Sequence, residues 1–181
     1  MSVKNSYFTL NEIALMSLMG AIIFVMKMAL RMPLHIPGHT GIFLVIPVIV
    51  GVAIIRKFGS GTYIGIVSGI LISFFGIGGM HVFDIFQYTA FGASIGLVGY
   101  LLQYRFDSTP VSILAGITGS ISGMLVNFAV HLAIGVPFVV VVVSAGISSV
   151  SHLIFGALGG LISGYLVIRL IKAGVITKDD T

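Results

Sequence analysis

Long apolar runs with very few charges constrain this chain more than any other feature of its sequence. The 181 residues include nine lysines and arginines and five acidic residues, while 57% are hydrophobic and the mean hydropathy is +1.19. A helix that spans a bilayer needs about 20 apolar residues, so the chain has room for roughly five or six such helices and little else. We predict an all-α, polytopic membrane protein whose residues 1–181 form a single domain.

Glycine, proline and charged residues interrupt the apolar sequence and divide it into six predicted spans. The spans are predicted at about residues 11–31, 40–55, 61–76, 82–104, 110–134 and 138–171. The second and third are short for a hydrocarbon core of about 30 Å, so we expect them to be tilted or partly re-entrant. The pattern predicts a compact bundle of six transmembrane helices.

The distribution of basic residues predicts the orientation of the bundle. If the N-terminus is cytoplasmic, only Lys27 and Arg31 fall toward the outside. The basic residues on the cytoplasmic side are then Lys4, Arg56, Lys57, Arg105, Arg169, Lys172 and Lys178. This arrangement satisfies the positive-inside rule and predicts that both termini are cytoplasmic. Since topology accounts for the positive charge, nucleic-acid binding is not implied.

Glycines recur at intervals of four residues in four of the predicted spans. The stripes are Gly61, Gly65 and Gly69; Gly92 and Gly96; Gly119 and Gly123; and Gly156, Gly160 and Gly164. Four-residue spacing places small residues on one helical face, where two backbones approach closely. Because these stripes fall mainly in the predicted cytoplasmic half, we expect that half to be tightly packed and dry.

Polar residues of the spans concentrate in the predicted outer half. The candidate ligand-binding residues are Lys27, Arg31, His35, His39, His81, Asp84, Gln87, Tyr88, Asn127, His131, Ser144 and Ser148. An ionisable group in lipid costs about 3 kcal/mol on insertion scales, so these groups should face one another or water. We predict a polar pocket that opens to the outside and is closed beneath by glycine-mediated packing.

Several of these residues also have a structural interpretation. Asp84 either neutralises a basic residue of the first span or contacts a ligand, and the two roles can coexist. Asn127 and His131 either bind a ligand or form hydrogen bonds to neighbouring helices. His152 lies deeper, one turn below Ser148, and is predicted to be a packing residue.

The sequence lacks the motifs of several chemistries, and we predict neither enzymatic activity nor a cofactor. There is no cysteine, no Walker A sequence and no HExxH sequence, which excludes thiolate chemistry, an ATPase within this chain and that type of zinc protease. Ser148 and His152 are neighbours on one helix without a sign of an oxyanion hole, so a hydrolase is unsupported. His131 and His152 differ too much in depth to bracket a haem.

The architecture resembles the S components of energy-coupling factor (ECF) transporters, which capture vitamins and related micronutrients. The resemblance covers the whole chain and rests on its size, six spans, cytoplasmic termini, outer polar pocket and lack of an ATPase. In that family an alanine-x-x-x-alanine motif on the first helix docks the coupling subunit. Here Ala14, Ser17 and Ala21 form a small-residue stripe, in which Ser17-x-x-x-Ala21 matches the spacing and Ala14-x-x-x-Leu18 does not.

The resemblance implies a multi-pass protein of a prokaryotic plasma membrane that imports a small water-soluble vitamin or vitamin precursor. Such a subunit binds its substrate from outside. It then topples in the lipid bilayer when a transmembrane coupling subunit and two ATPase subunits drive it. The candidate residues above would then contact the substrate, and Ala14, Ser17 and Ala21 would contact the coupling subunit.

Two alternatives remain open at this point. One is a nickel- or cobalt-binding S component, because Leu34-His-Ile-Pro-Gly loosely resembles the N-terminus of those proteins. Its candidate metal ligands would be His35, His39, His81 and Asp84. The other is a non-transporting membrane anchor or assembly module, in which replacing Asn127 or Asp84 would change folding and not ligand affinity.

Overall fold

The computed structural model describes residues 7–30 and 41–176, apart from the side chain of Ile147. Within these residues the chain forms six α-helices and a short 3-10 helix, His81–Phe83. The α-helices are α1 (Leu10–Ala29), α2 (Gly41–Ile55), α3 (Ser60–Phe74), α4 (Asp84–Leu101), α5 (Thr109–Ala133) and α6 (Phe138–Lys172). The prediction of an all-α bundle of six helices is confirmed. The largest boundary difference is at the end of α4, predicted at residue 104 and observed at Leu101.

Within residues 7–30 and 41–176, four helical segments are long and apolar enough to cross a membrane: α1, the 3-10 helix together with α4 (His81–Leu101), α5 and α6. Helices α2 and α3 are apolar but have 15 residues each, or roughly 22 Å at 1.5 Å per residue. They are therefore shorter than the hydrocarbon core, as predicted from the spacing of their breakers.

Helix α2 occupies the centre of the bundle and contacts each of the other five helices. Its side chains form much of the core, including Val45, Val48, Ile49 and Val52, which are fully buried. A helix that is apolar on every face is stable only where all its faces are covered, by protein or by lipid. Here the neighbouring helices cover it.

Glycine contacts hold neighbouring helices together. A side chain at Gly61 would collide with the backbone at Gly92 and Gly96, so α3 and α4 are in direct backbone contact. Gly116 of α5 faces Gly156 and Gly160 of α6 in the same way. These contacts agree with the tight packing predicted from the glycine stripes.

One end of the bundle brings together the loops predicted to be cytoplasmic. Lys57, after α2, forms an ion pair with Glu12 of α1 at 2.8 Å and also donates a hydrogen bond to the carbonyl of Tyr7 at 3.0 Å. The ring of Phe58 packs edge-on against Tyr100 near the end of α4 at a centroid distance of 5.2 Å. The start of α1, the connection between α2 and α3 and the end of α4 thus meet at one end of the bundle.

Candidate ligand-binding site

A cavity of about 170 Å³ lies at the start of α2, among α1, α4, α5 and α6. Its lining consists of Lys27, Gly41, Leu44, Gln87, Tyr88, Phe91, Ser120, Gly123, Met124 and His152. Helix α2 begins beside the middle of α5. A Cβ atom added at Gly41, the first residue of α2, would lie 3.9 Å from the Oγ of Ser120. The start of this short central helix, at Gly41 and Leu44, therefore lines the cavity.

The lining combines polar groups from several helices with an apolar and aromatic surface. The polar side chains are Lys27 of α1, Gln87 of α4, Ser120 of α5 and His152 of α6. Tyr88 and Phe91, one turn apart on α4, supply the aromatic surface and are otherwise buried. A few convergent polar groups in a mostly apolar concave site are typical of small-molecule pockets.

Three of the predicted ligand-binding residues line this cavity: Lys27, Gln87 and Tyr88. Two others lie next to it. Asn127 donates a hydrogen bond from Nδ2 to the Oε1 of Gln87 at 3.2 Å, which joins α5 to α4 and fixes the Gln87 amide. The Nδ1 of His131 is 2.8 Å from the carbonyl oxygen of Asn127, one turn earlier on the same helix.

Asp84 is buried, with 2% of its surface exposed, but it does not line the cavity. Its carboxylate accepts a hydrogen bond from the backbone N–H of Met80 at 3.3 Å and packs directly against Gly78. Asp84 and Lys27 interact electrostatically, without a direct ion pair between them. The carboxylate therefore holds the 75–83 connection to the first turn of α4, where a negative charge is favourable.

The remaining predicted residues are placed as follows. Ser144 is exposed and Ser148 is half-buried on α6, and neither lines the cavity. His81 is exposed in the 3-10 helix before α4. The other three, Arg31, His35 and His39, lie outside the described residues.

No group of three or more histidine, aspartate or glutamate side chains in residues 7–30 and 41–176 is arranged to hold a metal ion. The alternative metal site, composed of His35, His39, His81 and Asp84, stays a prediction because its first two members lie outside those ranges.

Several lining residues were not predicted from the sequence. Gly41, Leu44, Phe91, Gly123 and Met124 are apolar or small, and nothing in their spacing separates them from packing residues. His152, which we predict to be a packing residue, also lines the cavity. Ser120 follows directly after Gly119 of the α5 glycine stripe. This neighbour is the one feature of the sequence that indicates a close helix contact at Ser120.

The small-residue stripe of α1 lies partly on the outer surface of the bundle. Ala14 is exposed and Ala21 is half-buried. The hydroxyl of Ser17 lies 3.4 Å from that of Tyr63 on α3, so this residue also contributes to helix packing.

A solved structure described as an S-component of ECF transporter resembles this chain, with a TM-score of 0.65 and 20% sequence identity. The match covers 93% of this chain and 88% of that one. The chain has the fold of an S component. No protein-family model matches the sequence, and a comparison with curated proteins finds no match. The predicted resemblance is thus confirmed for the fold, over almost the whole length of the S-component structure.

Proposed function

We propose that this protein is the substrate-binding subunit of an ECF-type importer and captures a small water-soluble vitamin or vitamin precursor from outside the cell. It would be a multi-pass protein of a prokaryotic plasma membrane and a transport subunit, not an enzyme. The observation that carries the proposal is a polar cavity, lined by five helices, within an S-component fold.

The size and chemistry of the cavity support capture of a small metabolite. Pockets for drug-sized ligands measure roughly 300 to 1,000 Å³, and this cavity, at about 170 Å³, suits a smaller molecule. Tyr88 and Phe91 offer faces for a ring, while Gln87 and Lys27 offer directed hydrogen bonds. Tight capture of a dilute nutrient requires about 12 kcal/mol for a nanomolar dissociation constant, and contacts from five helices help to provide it.

The packing beneath the cavity supports delivery by movement of the whole subunit. Backbone contacts at Gly61 and Gly65, between α3 and α4, leave no room for a passage along that interface. Gly160 of α6 makes equally close contact with the backbone at Ser112 of α5. A bundle packed this closely does not open a channel cheaply, so we propose that it topples to expose the cavity to the cytoplasm.

This sequence has no Walker A motif, so ATP hydrolysis that drives the subunit would take place on a partner protein. We propose that a transmembrane coupling subunit and two ATPase subunits supply it. The surface of α1 around Ala14 and Ala21 is accessible in the isolated bundle and presents small side chains, which permit close helix packing against a partner.

Thermal unfolding of the purified protein in detergent, measured with a panel of water-soluble vitamins and their precursors, tests this function. We expect one compound to raise the unfolding temperature, since a ligand that binds only the folded state stabilises it. Gln87→Ala should weaken that effect. Gln103→Ala, which removes an exposed glutamine after α4, is the matched control and should retain it.

The alternative of a membrane anchor makes the opposite prediction. If Gln87→Ala changed the stability of the free protein while no compound stabilised either variant or the original chain, the substrate-capture function would be wrong.

A further inference from the structure

We propose that the substrate carries a carboxylate, and that this group binds at the start of α2 between Lys27 and Ser120. The inference rests on the proposed function and names the chemical class of its substrate. It is carried by three features of the same cavity: a helix N-terminus, a buried hydroxyl without a partner and a lysine without a direct ion pair.

The first feature is the N-terminus of α2, a helix of 15 residues. The N–H groups of the first turn of an α-helix have no acceptor within the helix, and the helix dipole adds partial positive charge there. Gly41 and Leu44, both in that first turn, line the cavity. Because Gly41 has no side chain, an anion can approach the backbone closely.

The second feature is Ser120 of α5, which is 4% exposed and lines the cavity. Its Oγ has no hydrogen-bond partner within the described part of the chain. On one side the hydroxyl abuts α6, where a side chain at Gly156 would come within 2.7 Å of Oγ. On the other side it faces the first residue of α2. Buried hydroxyls are rarely left unpaired, so a ligand oxygen at this point would supply the missing acceptor.

The third feature is the ammonium group of Lys27. Its nearby counter-charge, Asp84, lies outside the lining, is held by the Met80 N–H and is covered by Gly78. No direct ion pair joins Lys27 to a carboxylate among the described residues. A ligand carboxylate can therefore form a charge-assisted hydrogen bond with Lys27, a stronger bond than one between neutral groups.

The balance of charge favours a carboxylate over a phosphate. A phosphate monoester carries a charge of about −1.5 to −2 at neutral pH. The cavity presents one lysine, and Asp84 adds a negative charge nearby. The one lysine can pair with one negative charge, and repulsion from Asp84 disfavours a second. The rest of the ligand would then contact Tyr88, Phe91 and Met124.

Matched pairs of acids and neutral analogues test the inference. Suitable pairs are nicotinate and nicotinamide, pantothenate and pantothenol, and biotin and biotinamide, each titrated calorimetrically into the full-length protein in detergent. We expect the protein to bind an acid at least roughly tenfold more tightly than its neutral analogue, as loss of a charged hydrogen bond predicts. Any small molecule that co-purifies should likewise carry a carboxylate.

Two variants locate the acidic group. Lys27→Gln should weaken binding of the acid by roughly ten- to a hundredfold, and Ser120→Ala by roughly three- to tenfold, with little change for the neutral analogue. Lys172→Gln removes an exposed lysine at the far end of α6. Ser68→Ala removes a buried hydroxyl that already donates to the Gly65 carbonyl. Both controls should bind like the original chain, and Ser120→Ala carries the test if Lys27→Gln does not fold.

The outcomes separate this inference from the proposed function. Equal affinity for acid and neutral analogue, or a co-purified ligand without an acidic group, would overturn the inference that the substrate carries a carboxylate. Neither result would contradict substrate capture. Acid binding that neither variant weakens would overturn its placement at α2. If no compound bound and no small molecule co-purified, both proposals would be overturned.

Discussion

Gly65 of α3 lies against the backbone carbonyl of Tyr88 on α4 so closely that residue 65 has no room for a side chain. Tyr88 itself lines the cavity. One glycine contact therefore sets both the separation of two helices and the position of an aromatic side chain at the candidate site. Helix packing and the geometry of the candidate site are thus coupled at this point of the fold.

Gly65→Ala should destabilise the folded protein. The new methyl group would collide with the backbone at Tyr88, and overpacking of this kind costs about 1–3 kcal/mol. Gly146→Ala is the matched control, because nothing lies within 4 Å of a side chain there and alanine favours a helix by about 1 kcal/mol over glycine. Thermal unfolding in detergent checks the pair, and equal unfolding temperatures for the two variants would contradict the packing.

Gly123→Ala should weaken ligand binding without lowering the stability of the free protein. Gly123 lines the cavity, and a methyl group there would make ordinary contacts of 3.5 Å to Phe91 and 3.6 Å to the Gln87 carbonyl. One added carbon in a small pocket changes binding by about 1 kcal/mol or more. Calorimetric affinity and thermal unfolding measure the two effects. Unchanged affinity would place the ligand elsewhere.

Gly78→Ala should loosen the connection before α4. A side chain at residue 78 would occupy the position of the Asp84 carboxylate, so the variant must displace a buried charged group, at a cost of about 1–3 kcal/mol. The adjacent Gly79→Ala meets nothing within 4 Å and should change stability by less than about 0.5 kcal/mol. If both variants unfolded at the same temperature as the original chain, the packing of Asp84 against Gly78 would be wrong.

The absence of cysteine from the sequence permits a direct test of orientation with single introduced cysteines. Val82→Cys replaces a side chain that is 68% exposed in the 3-10 helix, at the predicted outer end. Thr109→Cys replaces an exposed residue at the start of α5, at the predicted inner end. A membrane-impermeant maleimide should label the first variant in intact cells and the second only after permeabilisation. The reverse pattern would contradict the orientation predicted from basic residues.

Sequence patterns predicted the helices well because the length of an apolar run and the residues that interrupt it determine helix bounds locally. Long apolar runs bounded by Pro33, Arg56 or Pro110 permit few alternatives in a bilayer. The central position of α2 was not predictable in this way. Its residues are apolar on every face, so periodicity does not separate a helix covered by protein from one covered by lipid.

The candidate site was predicted only in part, for the same physical reason. Lys27, Gln87 and Tyr88 stood out as polar residues at one depth. Ser120 and His152 line the cavity because tertiary packing brings α2, α5 and α6 together there. Asp84 is a charged residue of the kind that binding sites contain. Its carboxylate is nevertheless held by the Met80 N–H and by packing against Gly78, outside the cavity.

The most direct test of substrate capture is mass spectrometry of small molecules that co-purify with the original chain and with Gly123→Ala. The account predicts one small organic molecule per protein in the original chain and clearly less in the variant, since Gly123 lines the cavity. A molecule retained equally by both proteins would contradict this binding site. The absence of any bound molecule, together with no stabilisation by the vitamin panel, would contradict substrate capture itself.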